Sequence, residues 1–113
     1  AALIRRIEEA DAVVFATPVY FSDLSESLRA FTDRLRRTCT NQTGRQRVEN
    51  KKAVGVCVAG GGGGGAPECA ASLKRVLTTS GFDVVDMVPV RRQNLDTKCK
   101  RLKLGGEWLA ELG

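Results

Sequence analysis

The sequence contains no histidine, and its four cysteines, Cys39, Cys57, Cys69 and Cys99, are too far apart for a Cys-x-x-Cys pair. A zinc or iron–sulfur site built by this chain alone is therefore not expected, nor is a dithiol redox motif. Aromatic residues make up only 5% of the chain, and none lies inside its basic runs. That composition argues against a stacking platform for single-stranded nucleic acid. No run reaches the roughly 20 apolar residues that a bilayer span requires, and no charged-then-apolar leader opens the sequence. The expectation is a cytoplasmic protein with no membrane partner, its cysteines free thiols in a reducing compartment. The first residue is Ala1 rather than Met, as in a trimmed chain or a piece of a longer reading frame.

What is present is the balance of a folded chain: 113 residues, 42% hydrophobic and 27% charged. That length suits one domain over residues 1–113, burying roughly two-thirds of its unfolded surface. The net charge is +5. Its cations fall in three groups: Arg34, Arg36 and Arg37; Arg45, Arg47, Lys51 and Lys52; and a third set from Arg91 to Lys103. Three readings stay open for them: a solvated basic face, attraction of a phosphate-bearing cofactor, or weak binding of a polyanion.

One grammar repeats three times along the chain: apolar strand, glycine or proline punctuation, amphipathic helix. The run Asp11 to Thr17 is continuously apolar after its first residue, as in a parallel strand buried on both faces. Leu3, Ile4 and Ile7 ahead of it have helical spacing. After Thr17-Pro18-Val19-Tyr20-Phe21 a helix is expected, capped by Ser22 or Asp23, with Leu24, Leu28, Phe31 and Leu35 as its apolar stripe. Residues 38–52 are polar and read as a long surface loop.

A second strand, Ala53 to Ala59, ends in six glycines, Gly60, Gly61, Gly62, Gly63, Gly64 and Gly65. Pro67 suits the first turn of the next helix, and Gly81 its end. A third strand is expected from Phe82 to Val88, closed by Pro89. A last helix follows, from about Asp96 to Leu112, with Leu95, Cys99, Leu102 and Leu109 inward and Gly105–Gly106 as a weak point. Strands alternating with helices imply right-handed crossovers and a parallel sheet, whose ligands sit beyond the carboxyl ends of the strands. That rule singles out residues 17–22 and 60–68, two loops expected at the same sheet edge.

Six consecutive glycines let backbone amides turn toward a ligand, and the helix starting near Pro67 adds its positive dipole end. Such a loop accepts an anion or lies flat against an aromatic ring. It is not a Walker loop, since no Lys-Ser/Thr pair follows. In the other loop, Pro18 fixes the backbone where the strand ends and presents Thr17 and the following amides. Tyr20 and Phe21 divide between core packing and stacking on a planar cofactor.

The run from Ala10 through Thr17-Pro-Val-Tyr-Phe21 to Phe31-Thr-Asp-Arg34 resembles the signature of the NADPH-dependent FMN reductase and iron–sulfur flavoprotein families. Ala59 to Glu68, a helix, and then Gly81-Phe-Asp-Val-Val85 resemble the second flavin loop of those families and the strand after it. The resemblance covers nearly the whole chain. It implies a flavodoxin-like three-layer α/β/α sandwich, sheet order 2-1-3-4-5, of which this chain carries strands three to five and their helices. The opening strand and the Ser/Thr-rich phosphate loop of the pattern have no counterpart here, so the first strand is expected to show an unpaired edge.

By the same resemblance, Thr17, Pro18, Val19, Tyr20 and Phe21 line the ribityl chain and ring of a non-covalent FMN. Gly60 to Gly65 and Glu68 meet the polar edge of that ring. Amides there stabilise negative charge on reduced flavin. The implied activity is an NAD(P)H-dependent FMN oxidoreductase, with hydride passing from NAD(P)H to flavin and electrons on to an acceptor, and with no catalytic side chain. A homodimer or higher homo-oligomer is implied, with the helix after Ser22 near the interface. Asp33 and Arg34, which match the family's Asp-Arg motif, stay open between helix-surface charges and an interface or cofactor role. The alternative is a non-catalytic flavodoxin-like module serving as electron carrier or assembly partner.

Overall fold

A computed structural model describes residues 2–20, 23–60 and 65–112. Helix α1 (Ala2–Glu9) leads into strand β1 (Ala12–Pro18), followed by α2 (Glu26–Thr38), the short α3 (Gln42–Gln46) and β2 (Lys52–Ala59). Then come α4 (Ala66–Ser80), β3 (Asp83–Arg91), a 3-10 turn (Arg92–Asn94) and α5 (Leu95–Leu112). The three strands form one parallel sheet in the order β1-β2-β3. Three parallel strands with flanking helices are the strand three-to-five portion of a flavodoxin-like α/β sandwich.

Burial explains the layering. One face of the sheet carries the main core, where Phe15, Cys57, Leu35, Leu73, Leu77 and Phe82 pack with Ile4 and Ile7 of α1. Phe15 stacks edge-on to Phe82, ring centroids 5.5 Å apart, and meets Phe31 at 6.3 Å, so one β1 side chain joins α2 to the start of β3 within that core. The other face has a smaller core of Val56, Val88 and Val90, with Val54 and Leu102 against it. Among the described residues the helix on this face is α5, which packs on β3. The apolar run of β1 is consequently buried on one face only: Phe15 and Thr17 are inside, whereas Val14 is 60% exposed.

Several boundaries differ from the sequence reading. The cap of α2 is Ser25, whose hydroxyl accepts the Leu28 amide at 3.2 Å, rather than Ser22 or Asp23. Leu24, buried, precedes the helix. Strand β3 runs through Pro89 to Arg91. It pairs on one side only among the described residues, and an edge strand tolerates a proline because alternate amides point away from the ladder. Helix α5 continues unbroken through Gly105 and Gly106. Its half-buried positions are Lys98, Leu102, Gly105 and Leu109, while Leu95 and Cys99 are exposed.

Residues 38–52 are not a plain surface loop. Val48 is fully buried and Asn41 caps α3 through the Gly44 amide at 2.8 Å. Arg45 donates to the Thr79 carbonyl at 2.8 Å, near the end of α4, and Lys51 Nζ donates to Glu8 and Ala10 carbonyls at the end of α1. Cations suit those sites because helix carboxyl ends carry partial negative charge. Arg47 pairs with Glu8 and Lys52 with Asp83. Each member of the second basic cluster thus has an intramolecular partner. No helix among the described residues is long and apolar enough to cross a membrane.

Candidate functional site

Parallel pairing brings the carboxyl ends of β1 and β2 to one sheet edge. Pro18 lies opposite Val58 in the register, and the Val19 amide donates to the Val58 carbonyl at 3.0 Å. That bond joins the start of the first loop to a position two residues before Gly60.

The Thr17 side chain is buried, with its hydroxyl donating to the Pro18 carbonyl at 2.8 Å and accepting the Ser25 amide at 3.0 Å. Both bonds lie within the loop, so this hydroxyl shapes the turn from strand to helix. Tyr20 and Asp23 exchange two backbone hydrogen bonds of 3.0 Å, closing the loop across residues 21 and 22. Asp23 also accepts the Leu24 amide at 2.8 Å and pairs with Arg29. Held this way, Val19 packs against the core while Tyr20 is 60% exposed at the sheet edge. Pro18 is exposed at the end of β1. Phe21 lies outside the described residues.

In the second loop, Gly61, Gly62, Gly63 and Gly64 also lie outside the described residues. Gly60 is exposed, and a Cβ there would meet nothing within 4 Å. Gly65 precedes α4 with right-handed helical dihedrals, and among the described residues no side chain caps the start of α4. Glu68 is exposed in that first turn, where its charge complements the helix dipole. Below the loop, Cys57 and Cys69 are both fully buried. Burial first, then the Cys69 thiol, pushes Cys57 up to about 12. Burial likewise raises Cys69, against a lowering by its hydrogen bond to Cys57. These thiols are packing groups, protonated at neutral pH.

Sequence reasoning located both loops but missed what holds them. The Thr17–Ser25 bond spans eight residues and depends on tertiary geometry. A Ser followed by Glu in the run Ser25-Glu26 was the available signal for the cap.

An uncapped helix start, open space at Gly60 and an exposed aromatic ring at one edge suit a ligand that has both a planar apolar body and polar acceptors. These features define an open parallel α/β protein in which the loops after β1 and β2 share one sheet edge, the edge where sheets of this kind bind ligands. The family model for NADPH-dependent FMN reductase matches residues 1–96, and the chain belongs to that family.

Solved structures carry the same fold. The Trp repressor binding protein from Bacillus subtilis superposes with a TM-score of 0.68 at 22% identity, over 80% of this chain and 60% of that one. The flavodoxin, WrbA-like protein from Agrobacterium tumefaciens gives 0.60 at 19% identity, over 69% of this chain and 47% of that one. General stress protein 14 from Treponema denticola, solved in complex with FMN, gives 0.71 at 16% identity, over 99% of this chain and 72% of that one. The chain thus spans 60% of the length of the Bacillus structure. No curated protein matches it in sequence.

Proposed function

We propose that this chain carries the flavin-contacting loops of an NAD(P)H-dependent FMN oxidoreductase. The observation that carries the reading is the joining of the two strand-end loops by the Val19–Val58 bond, with Tyr20 exposed in the first loop and no side-chain cap hydrogen bond at the start of α4 after the second. Family membership and the FMN complex of the Treponema protein support it.

In this reading Pro18, Val19, Tyr20 and Phe21 bind the ribityl chain and ring, and Thr17 holds their backbone in place. Gly60 to Gly65 bring amides close to the polar edge of the ring, where no side chain intervenes. The start of α4 favours negative charge at that edge, and Glu68 orients the turn. When bound, FMN supplies acceptance of hydride from NAD(P)H and delivery of electrons to an acceptor. The residues bind, orient and polarise; none of them moves a proton. A homo-oligomer assembles in the cytoplasm through the outer face of α2, where Ser27, Ala30 and Arg34 are exposed.

The test is an FMN titration followed by flavin fluorescence and the visible band, then NADPH oxidation by the loaded protein. Saturable quenching at micromolar FMN, weakened in Tyr20→Ala, is the expected result. Binding without NADPH oxidation would favour the electron-carrier alternative. No change up to about millimolar FMN, a ceiling of about 4 kcal/mol, would overturn the reading for this chain.

A further inference from the structure

The third strand reaches the same sheet edge as the two loops. In the register Pro18 pairs with Val58, Val58 with Val90, and Ala59 with Arg91, the last residue of β3. Neighbouring strands stand about 4.8 Å apart, which puts the Arg91 backbone about 5 Å from Ala59 and about 10 Å from the β1 row. Beyond it the chain closes a tight turn. The Arg91 amide donates to Asn94 Oδ1 at 2.9 Å, and the Leu95 amide donates to the Arg92 carbonyl. Arg91, Arg92 and Gln93 are exposed on this turn, and Leu95 is 45% exposed beside them.

Charge is unevenly spread along this edge. Residues 17–25 and 59–68 contain no Lys or Arg, and their carboxylates are Asp23 and Glu68. Residues 91–103 hold six cations and one acid, Asp96. That balance of +5 equals the net charge of the whole chain, so the remaining residues cancel. Arg101 is paired with Asp86 at 2.8 Å in the body of α5, whereas Arg91 and Arg92 stand at the strand end. A reduced nicotinamide dinucleotide brings a pyrophosphate, and NADPH a further 2′-phosphate, to any site where its ring meets a flavin. The two loops assigned to flavin offer amides and an aromatic ring but no cation for those phosphates.

We propose, resting on the flavin reading above, that the turn after β3 is a third wall of the ligand edge, where Arg91 and Arg92 bind a phosphate of the reduced dinucleotide. Guanidinium groups suit that role because their planar donor fork matches phosphate oxygens in pairs. Leu95 supplies apolar surface for the adenine next to them. The pair thereby selects the electron donor by its charge, while the other two loops hold the flavin.

The probes are adenosine 2′,5′-bisphosphate and adenosine 5′-diphosphate, which carry the phosphates without the nicotinamide, with inorganic phosphate as control. Amide and arginine Nε shifts of the isotopically labelled chain, measured without flavin, give the readout. Saturable shifts at Arg91, Arg92 and Leu95 are expected, with affinity weakened about tenfold in Arg92→Gln and further when Arg91→Gln is added. Tighter binding of the bisphosphate assigns the pair to the 2′-phosphate, and tighter binding of the diphosphate assigns it to the pyrophosphate. In the FMN-loaded protein the double variant is expected to raise KM for NADPH about tenfold with FMN affinity unchanged. No shift at millimolar nucleotide, or equal shifts with inorganic phosphate spread over Lys100 and Lys103, would overturn the proposal. So would a loss of FMN affinity in the double variant, which would assign the arginines to the flavin phosphate. The nucleotide titration uses no flavin, so a failed FMN titration would count against the flavin reading alone.

Discussion

The Thr17 hydroxyl accepts the Ser25 amide at 3.0 Å while donating to the Pro18 carbonyl at 2.8 Å, and so ties the end of β1 to the cap of α2. Thr17→Val keeps the β-branched shape and removes both bonds. The half-buried Ser25 amide would be left short of a partner, while the Pro18 carbonyl sits on an exposed residue, so a cost of about 1 kcal/mol is expected. Urea denaturation should show that loss, and the FMN affinity of the variant should fall several-fold because Val19 and Tyr20 lose their fixed position.

Lys51 closes the end of a helix more than 40 residues away, donating to the Ala10 carbonyl at 2.6 Å and the Glu8 carbonyl at 2.9 Å. Lys51→Met retains the aliphatic stem and removes the donors. A stability loss of about 1–2 kcal/mol is expected. Amide exchange should quicken in α1 and at the start of β1, with the loops at the opposite sheet end unaffected.

This contact also shows where the sequence was silent. The alternation of apolar runs with helical spacing made β1, β2, α2 and α4 legible, since burial imposes those periods. Residues 38–52 read as a solvated loop because polar composition alone cannot reveal that Arg45 and Lys51 complete two helix ends, or that Val48 fills the core between them. Of Leu95, Cys99, Leu102 and Leu109, which helical spacing puts on one side of α5, Leu102 and Leu109 are half-buried together with Lys98 and Gly105, while Leu95 and Cys99 are exposed. The core contact of α5 is Leu102 against the small cluster of Val54, Val56, Val88 and Val90, so a weakly amphipathic sequence had no wide apolar face to declare. The site loops were legible by position after buried strands, whereas the bonds that lock them are between distant atoms.

Thiol chemistry separates the four cysteines. Cys39, Cys57 and Cys69 are buried and Cys99 is exposed. Ellman's reagent at neutral pH is expected to modify one thiol per chain quickly, at Cys99, and all four only after denaturation. Burial raises the Cys57 thiol from 9.0 to about 12. As pH rises above 9 the unfolded chain gives up this proton while the folded chain keeps it. Stability is therefore fully present below pH 9 and falls between pH 9 and 12, by at most about 1.4 kcal/mol per pH unit for one thiol. Denaturation midpoints of the protein and of Cys57→Ala, measured across that range, should converge as pH rises.

Gly105 and Gly106 sit within α5, and a Cβ at either meets nothing within 4 Å. Alanine at Gly106, which is exposed, should raise stability by about 1 kcal/mol through helix propensity alone. Gly81, with φ of +115°, ends α4 in the left-handed region, so Gly81→Ala should lower stability. Thermal melts of the two variants are expected to move in opposite directions.

The central claim is that one ligand edge is built by the loops after β1 and β2. Two-dimensional amide NMR of the isotopically labelled chain during FMN addition tests it most directly. The account predicts shift changes concentrated at Val19, Tyr20, Gly60, Gly65 and Glu68, with residues at the opposite sheet end, such as Asn50 and Lys51, unmoved. Changes centred on the α5 face around Leu102 and Trp108, or none at all at millimolar FMN, would contradict it.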